Sequence, residues 1–285
     1  MQMKRLLAIF LLGCVVSTGL AGPDQRIDVA RLTFAPGIDG DLQEWQALEP
    51  YRIAIAPAVE DDERNRTGSI EVELWVGRSE TDLYVAARWP DTAADTDFRP
   101  WRWRGSKYRR SKQRDDMFAL RFALSGEYNR SMIADANYVV DVWVWSAGRS
   151  NRIGSATDYR HRISLSMIED APEYETESGK TVYIDRILDD GESGYRTVKP
   201  GKSKTESRVP SVEFAAATGS AADVAATGRW RDGRWTLEMR RALDTGHADD
   251  VRFFSGQVIR GQIAVFNRVG GQHKSVSEPL LFRVN

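Results

Sequence analysis

Hydrophobic and polar residues alternate with a period of two along most of the chain, the signature of strands with one buried face. Ser69–Val76 (SIEVELWV) places Ile70, Val72, Leu74 and Val76 on one side, and Leu83–Trp89 follows across Glu80-Thr81-Asp82. The two runs therefore read as an antiparallel pair. Arg52–Ala56, Met117–Leu124 (MFALRFAL), Val139–Trp145 (VVDVWVW) and Arg162–Met167 are further strands, as are Val212–Ala217, Asp223–Thr227, Gly261–Asn267 and Leu280–Val284. Arg229–Arg241 contains the strongest hairpin signal, two alternating runs joined by Asp232-Gly233. Ile38-Asp39-Gly40 is a turn, after which Asp41 can cap a short helix that carries Trp45 inward. Glu169–Thr205 is polar and short of apolar periodicity, a long insertion with a hairpin around Thr181–Leu188. Closely spaced strands without intervening helices predict an all-β fold, an antiparallel β-sandwich with short helices.

The first residues change the picture of where this fold works. Lys4 and Arg5 precede an apolar run, Leu6–Val16, and a small-residue segment ending at Ala21. This is the pattern of a secretory signal, residues 1–21, leaving one domain over 22–285 with the insertion at about 169–205. An apolar run of roughly eleven residues is too short to span a bilayer. A second reading takes Leu11-Leu12-Gly13-Cys14 as a lipidation site with Cys14 as the anchor. Either way the expectation is export, to the periplasm, without a transmembrane span. Cys14 is the one cysteine of the chain, so its removal with the signal excludes disulfides, zinc–thiolate sites, cysteine nucleophiles and covalent CxxCH haem attachment.

Charge and motifs narrow the chemistry further. A formal net charge of −1 carries no general affinity for nucleic acid. Phe98–Arg114 holds eight basic residues and no acid, with Trp101, Trp103 and Tyr108 interleaved. In an exported protein this reads as a solvated loop, a docking face for an acidic partner or a source of cations for a bound carboxylate, not as a nucleic-acid site. His161, His247 and His273 stand at no metal-ligand spacing, and GxSxG, HExxH and P-loop motifs are absent. The pairs Asp61-Asp62, Asp115-Asp116, Asp189-Asp190 and Asp249-Asp250 fall in turns and strand entrances, where carboxylates serve as caps. No independent catalytic centre is visible; the expectation is a binding or electron-transfer protein, not an enzyme.

The stretch with most chemical content is Arg130–Asp158. Its strand places Trp143 and Trp145 on one face as a flat apolar wall, with Met132 upstream in a polar turn. A thioether there is core filler or a soft ligand reaching toward something bound. A haem without CxxCH would be non-covalent, held by methionine, histidine or a deprotonated lysine. The IDGDLxEW opening, Ile38 to Trp45, resembles that of carbohydrate-module-9-like and DOMON-type β-sandwiches.

Met132, Asp135-Ala136, the Asp141–Trp145 strand and Ala147-Gly148-Arg149-Ser150 resemble a segment of the ethylbenzene dehydrogenase γ-subunit family, haem-binding subunits of type II DMSO-reductase-like molybdenum enzymes (the cytochrome c-552–DMSO reductase-like haem-binding domains). Gly270-Gly271-Gln272-His273-Lys274-Ser275-Val276-Ser277 is similar to that family's C-terminal signature, and Asp115-Asp116 fits its strand entrance. The resemblance implies a β-sandwich binding haem b, with Met132 and Lys274 as axial ligands of the iron. It also implies single-electron relay between molybdenum-enzyme catalytic and iron–sulfur subunits and a periplasmic cytochrome or other carrier. Ile133 stands where the family carries glycine, and Asn129-Arg130-Ser131 replaces its proline and aromatic residues, so Met117 is a second sulfur and His273 a second nitrogen. Trp143 and Trp145 would wall the haem; Arg149 and Arg152 suit its propionates, or form a plain basic loop. The other reading is a carbohydrate- or other ligand-binding module without haem, stacking its ligand on Trp101, Trp103 or Trp143.

Overall fold

The computed structural model describes residues 24–285; the predicted signal segment 1–21, with Cys14, lies outside the described residues. One 14-stranded sheet winds through the domain and folds over on itself. In one half, Tyr51–Pro57, Ile70–Arg78, Asp82–Pro90, Arg234–Ala242 and Ala225–Arg231 are antiparallel neighbours in that order. In the other, Val258–Phe266, Met117–Gly126, Tyr138–Ser146, Thr157–Ser164 and Thr181–Leu188 follow one another. The short strand Ser275–Ser277 bonds to both Val258–Phe266 and Tyr51–Pro57 and so joins the halves. Gln25–Arg31 runs parallel to both Leu280–Val284 and the end of Ile70–Arg78, the one departure from antiparallel pairing among the named strands of this sheet. It fills the gap between two strands that would otherwise present unpaired edges.

The core lies between the halves. Trp89, Trp143, Trp145, Phe118 and Trp235 are buried in it beside aliphatic residues of both. Trp145 meets Trp235 edge to face at 5.0 Å, and Trp89 stacks on Phe118 at 5.3 Å. Trp145 packs so closely on Gly228 that a Cβ there would lie 2.4 Å from the indole. The Asp232-Gly233 hairpin forms as predicted, both residues at positive φ (52° and 76°) as a two-residue hairpin turn demands.

Four local differences have physical reasons. The strand expected at Arg162–Met167 is Thr157–Ser164, because its ladder with Tyr138–Ser146 starts at Thr157 opposite Val144 and leaves Met167 exposed. Within the polar stretch, Thr181–Leu188 enters the main sheet and buries Val182 and Ile184. The basic run forms a hairpin, Trp101–Arg104 with Lys107–Arg110, bonded to Arg208–Val209; the Trp101 indole donates to the Val198 carbonyl at 2.9 Å. The short 3-10 helix Glu44–Ala47 starts at Gln43, whose amide donates to Asp41 at 3.3 Å, and Trp45 points inward, donating to Glu238 at 2.8 Å. Among the described residues no helix is long and apolar enough to cross a membrane.

Candidate functional site

The outer face of the second half carries the other set of alternating side chains. On Met117–Gly126, Phe118, Leu120 and Phe122 enter the core while Met117, Ala119 and Arg121 line an external cavity. On Tyr138–Ser146, Trp143 and Trp145 enter the core and Val142 and Val144 line the cavity. Tyr159, His161, Ile184, Arg186, Ala264 and Phe266 extend this floor across the neighbouring strands. Ala58–Val59, Ser131–Ile133 and the Gly271–Lys274 loop supply the remaining walls. The space is about 710 Å³, within the range of cofactor and small-molecule sites.

Two residues from distant parts of the chain meet in this cavity, Met132 and Lys274. Met132 packs against the apolar patch that includes Tyr138, Val140 and Val142. Lys274 donates from Nζ to the Gly271 carbonyl at 3.1 Å and sits 5.7 Å from the Phe266 ring. No carboxylate forms an ion pair with it among the described residues, and burial, then Arg121 and Arg186, push its pKa down to about 8. His161 lines the same cavity, opposite Arg186 in register. Its Nδ1 is buried without a hydrogen-bond partner. Burial first, then Arg186, Arg121 and Lys274, hold its pKa down at about 3, so the ring is a neutral nitrogen donor at neutral pH.

The cavity is cationic as well as apolar. Arg121 is buried, and its Nη2 donates to the carbonyls of Asn129 and Arg130 at 2.7 Å each. It thereby holds the segment that leads into Met132. Arg130 pairs with Glu278 at 2.8 Å, and Arg186 is exposed at the rim. Their guanidinium groups suit the carboxylates of an amphipathic ligand whose body occupies the apolar floor.

The other sequence-predicted residues divide. Met117 also lines the cavity, but its sulfur lies 2.8 Å from Arg149 Nη2. Arg149 is ion-paired with Asp115 at 3.0 Å and stacked 4.2 Å from the Phe98 ring, behind the cavity rather than in its wall. Arg152 is exposed on the Ser150–Ile153 turn, away from it. His273 donates to or accepts from Asp62 at 2.8 Å and is not part of the lining. Trp143 and Trp145 are fully buried on the opposite face, so the aromatic wall expected from them is replaced by Val142 and Val144. Trp143 consequently has no surface on which to stack a sugar. Sequence reasoning did not single out Arg121 or Arg186 and set His161 aside for want of metal-ligand spacing; the signal was a charged or polar residue on the outer face of each of three strands that prove to be near neighbours.

A family model described as ethylbenzene dehydrogenase matches residues 43–277. No curated protein matches the chain. Among solved structures, a family 9 carbohydrate-binding module from Caldicellulosiruptor kristjanssonii in complex with glucose is similar at a TM-score of 0.39 and 10% identity, covering 92% of this chain and 96% of that one. A Bacteroides uniformis protein proposed to bind carbohydrate is similar at a TM-score of 0.44 and 8% identity, covering 90% of each chain.

Proposed function

The chain belongs to the ethylbenzene dehydrogenase family, and on that premise we propose that it is a periplasmic haem b-binding electron-transfer protein rather than an enzyme in its own right. The observation that carries the proposal is the convergence of Met132 and Lys274 on one apolar cavity with a cationic side. The donor set fits the group: an uncharged thioether, an amine already biased toward losing its proton, and an unpartnered imidazole nitrogen. Haem bound there supplies a one-electron couple.

The chain's own residues prepare the site. Met132 would offer its sulfur from a segment tied down by Arg121, whereas the sulfur of Met117 is engaged by Arg149. Lys274 can ligate only as the free amine, and its lowered pKa reduces the cost of that deprotonation. Arg121, Arg130 and Arg186, which line the cavity, would neutralise propionates, taking the part expected of Arg149 and Arg152. Valine and alanine side chains on the floor exclude water from the ligand face. The charged–apolar–small opening supports export, and the partner would be a molybdenum enzyme's iron–sulfur subunit or a periplasmic cytochrome.

The test is a visible spectrum of the exported protein, oxidised and dithionite-reduced, from a haem-sufficient host. Acid-extractable haem and sharp α and β bands on reduction are expected, altered in Met132→Ala and Lys274→Ala and retained in Met117→Leu. A colourless protein that takes up no added hemin overturns the proposal. Unchanged spectra in both ligand variants overturn the ligand assignment.

A further inference from the structure

A second site of unspent charge lies on the far side of the same sheet, where Arg241 crosses the core. Its Nη1 donates to Asp141 at 2.7 Å, Asp250 at 3.0 Å and Asp158 at 3.3 Å, and its Nη2 to the Val251 carbonyl at 2.6 Å. The Asp141, Asp158 and Asp250 carboxylates are buried with it. One guanidinium cannot neutralise three carboxylates, and the outer oxygens Asp141 Oδ1, Asp158 Oδ1 and Asp250 Oδ2 have no hydrogen-bond partner.

An independent observation comes from Asp189, at the end of the Thr181–Leu188 strand and only 3% exposed. Neither of its carboxylate oxygens has a hydrogen-bond partner, and its amide donates to the Asp158 carbonyl at 3.3 Å, one step past the Leu188–Tyr159 pair, so Asp189 lies directly across the strands from Asp158. Asp249 is already satisfied by the Asp190 amide and the Ser220 hydroxyl, both at 3.1 Å. The fields that reach this region from the cationic side are those of Arg241, of Arg160 and, next to Asp250, of His247, which pairs with Asp223 at 2.7 Å. Buried carboxylates left bare of donors are costly, because the charge has lost its hydration with nothing to replace it. Such a set persists only if protons or a cation complete it.

We infer that Asp141, Asp158, Asp189 and Asp250 form a binding site for a hard divalent cation of the calcium class, with Arg241 as its permanent inner counter-charge. One oxygen from each of Asp141, Asp158 and Asp250 lies within 4.8 Å of the others, about twice the ~2.4 Å calcium–oxygen distance. The donors are all oxygen, which selects calcium, magnesium or manganese over zinc or copper. They come from two strand interiors, a strand end and a loop, an irregular set that calcium accepts and octahedral magnesium does not. Bound there, the cation ties the Tyr138–Ser146, Thr157–Ser164 and Thr181–Leu188 strands to the Arg241 strand of the other half. The inference does not depend on haem binding.

The test uses the full exported chain, stripped with EGTA and then titrated with calcium. At about 100-fold excess of free calcium over Kd, Tm should rise by about 5–10 °C for a chain of this size. An equal concentration of magnesium should have a much smaller effect. Trp143 lies 4.6 Å from the Arg241 guanidinium, so terbium added in place of calcium should emit on tryptophan excitation and lose that emission when calcium displaces it. Asp189→Asn should weaken calcium binding at least tenfold, whereas Glu60→Gln, in an exposed loop, should not. The wild-type terbium titration decides the matter even if Asp189→Asn fails to fold. No calcium-dependent Tm shift and no displaceable terbium emission would overturn the site and leave protons as the neutralising charges.

Discussion

Replacing Arg121 by methionine, which keeps the length of the stem and deletes the guanidinium, tests how the cavity is built. Arg121 Nη2 makes two hydrogen bonds of 2.7 Å, to the carbonyls of Asn129 and Arg130, and the group stacks 4.9 Å from the Tyr128 ring. Each charge-assisted bond is worth about 1.5–3 kcal/mol before compensation. Two effects offset the loss: Asn129 is exposed, so water can replace the donor there, and a guanidinium without a carboxylate partner no longer has to be desolvated. The net global destabilisation should therefore be only about 1–2 kcal/mol. Tyr138, whose hydroxyl donates to the Ser131 carbonyl at 3.1 Å, still holds the segment in part.

The larger consequence is electrostatic. Arg121 is the leading charge, after burial, that depresses Lys274, so its removal should raise the Lys274 pKa from about 8 toward the ordinary lysine value. Urea unfolding followed by tryptophan fluorescence measures the first effect. The pH midpoint at which the hemin complex acquires its low-spin spectrum measures the second. The variant should unfold at slightly lower urea, bind hemin more weakly and shift that midpoint upward. An unshifted midpoint with unchanged hemin affinity would refute the assignment of Arg121 to this cavity's electrostatics and of Lys274 to the nitrogen ligand.

Two further predictions concern the frame. Gly228→Ala drives a methyl group into the buried Trp145 indole and should cost about 1–3 kcal/mol by overpacking, read as a fall in urea midpoint with unchanged m-value. It should also disturb Asn151, whose side chain bonds both the amide and the carbonyl of Gly228 and accepts from the Trp145 indole at 2.9 Å; an unaltered midpoint would contradict the packing described. Asp116 is a carboxyl raised to about 7, chiefly by burial and then by Asp91 and Asp95 against the amides that bond it. The folded state thus holds its proton where the unfolded state has lost it, so stability should fall as pH rises from about 4 through 7. Asp116→Asn should flatten that part of the Tm–pH curve; an identical slope in wild type and variant would assign the pH dependence to other groups.

Alternation, turn residues and length were enough to determine an all-β sandwich and most of its strands, because period-two burial and the Asp232-Gly233 turn are local properties of the chain. Met132 stood out in the sequence as core filler or a soft ligand, whereas Lys274 entered only through the resemblance of its short motif. What one strand cannot encode is which of its faces turns inward when both are apolar. Val140, Val142 and Val144 alternate with Asp141, Trp143 and Trp145, and either set could have walled a ligand. Packing against Trp89, Trp235 and Phe253 from other strands and loops drew the larger tryptophans into the core, where their area is buried most completely, and left Val142 and Val144 to the cavity. The same assembly brought together Arg121, His161 and Arg186 on one side and Asp141, Asp158, Asp189 and Asp250 on the other. Each is an ordinary charged or polar residue in its own stretch of sequence. Their chemistry comes from burial and from neighbours distant in the chain, and only the tertiary structure supplies either.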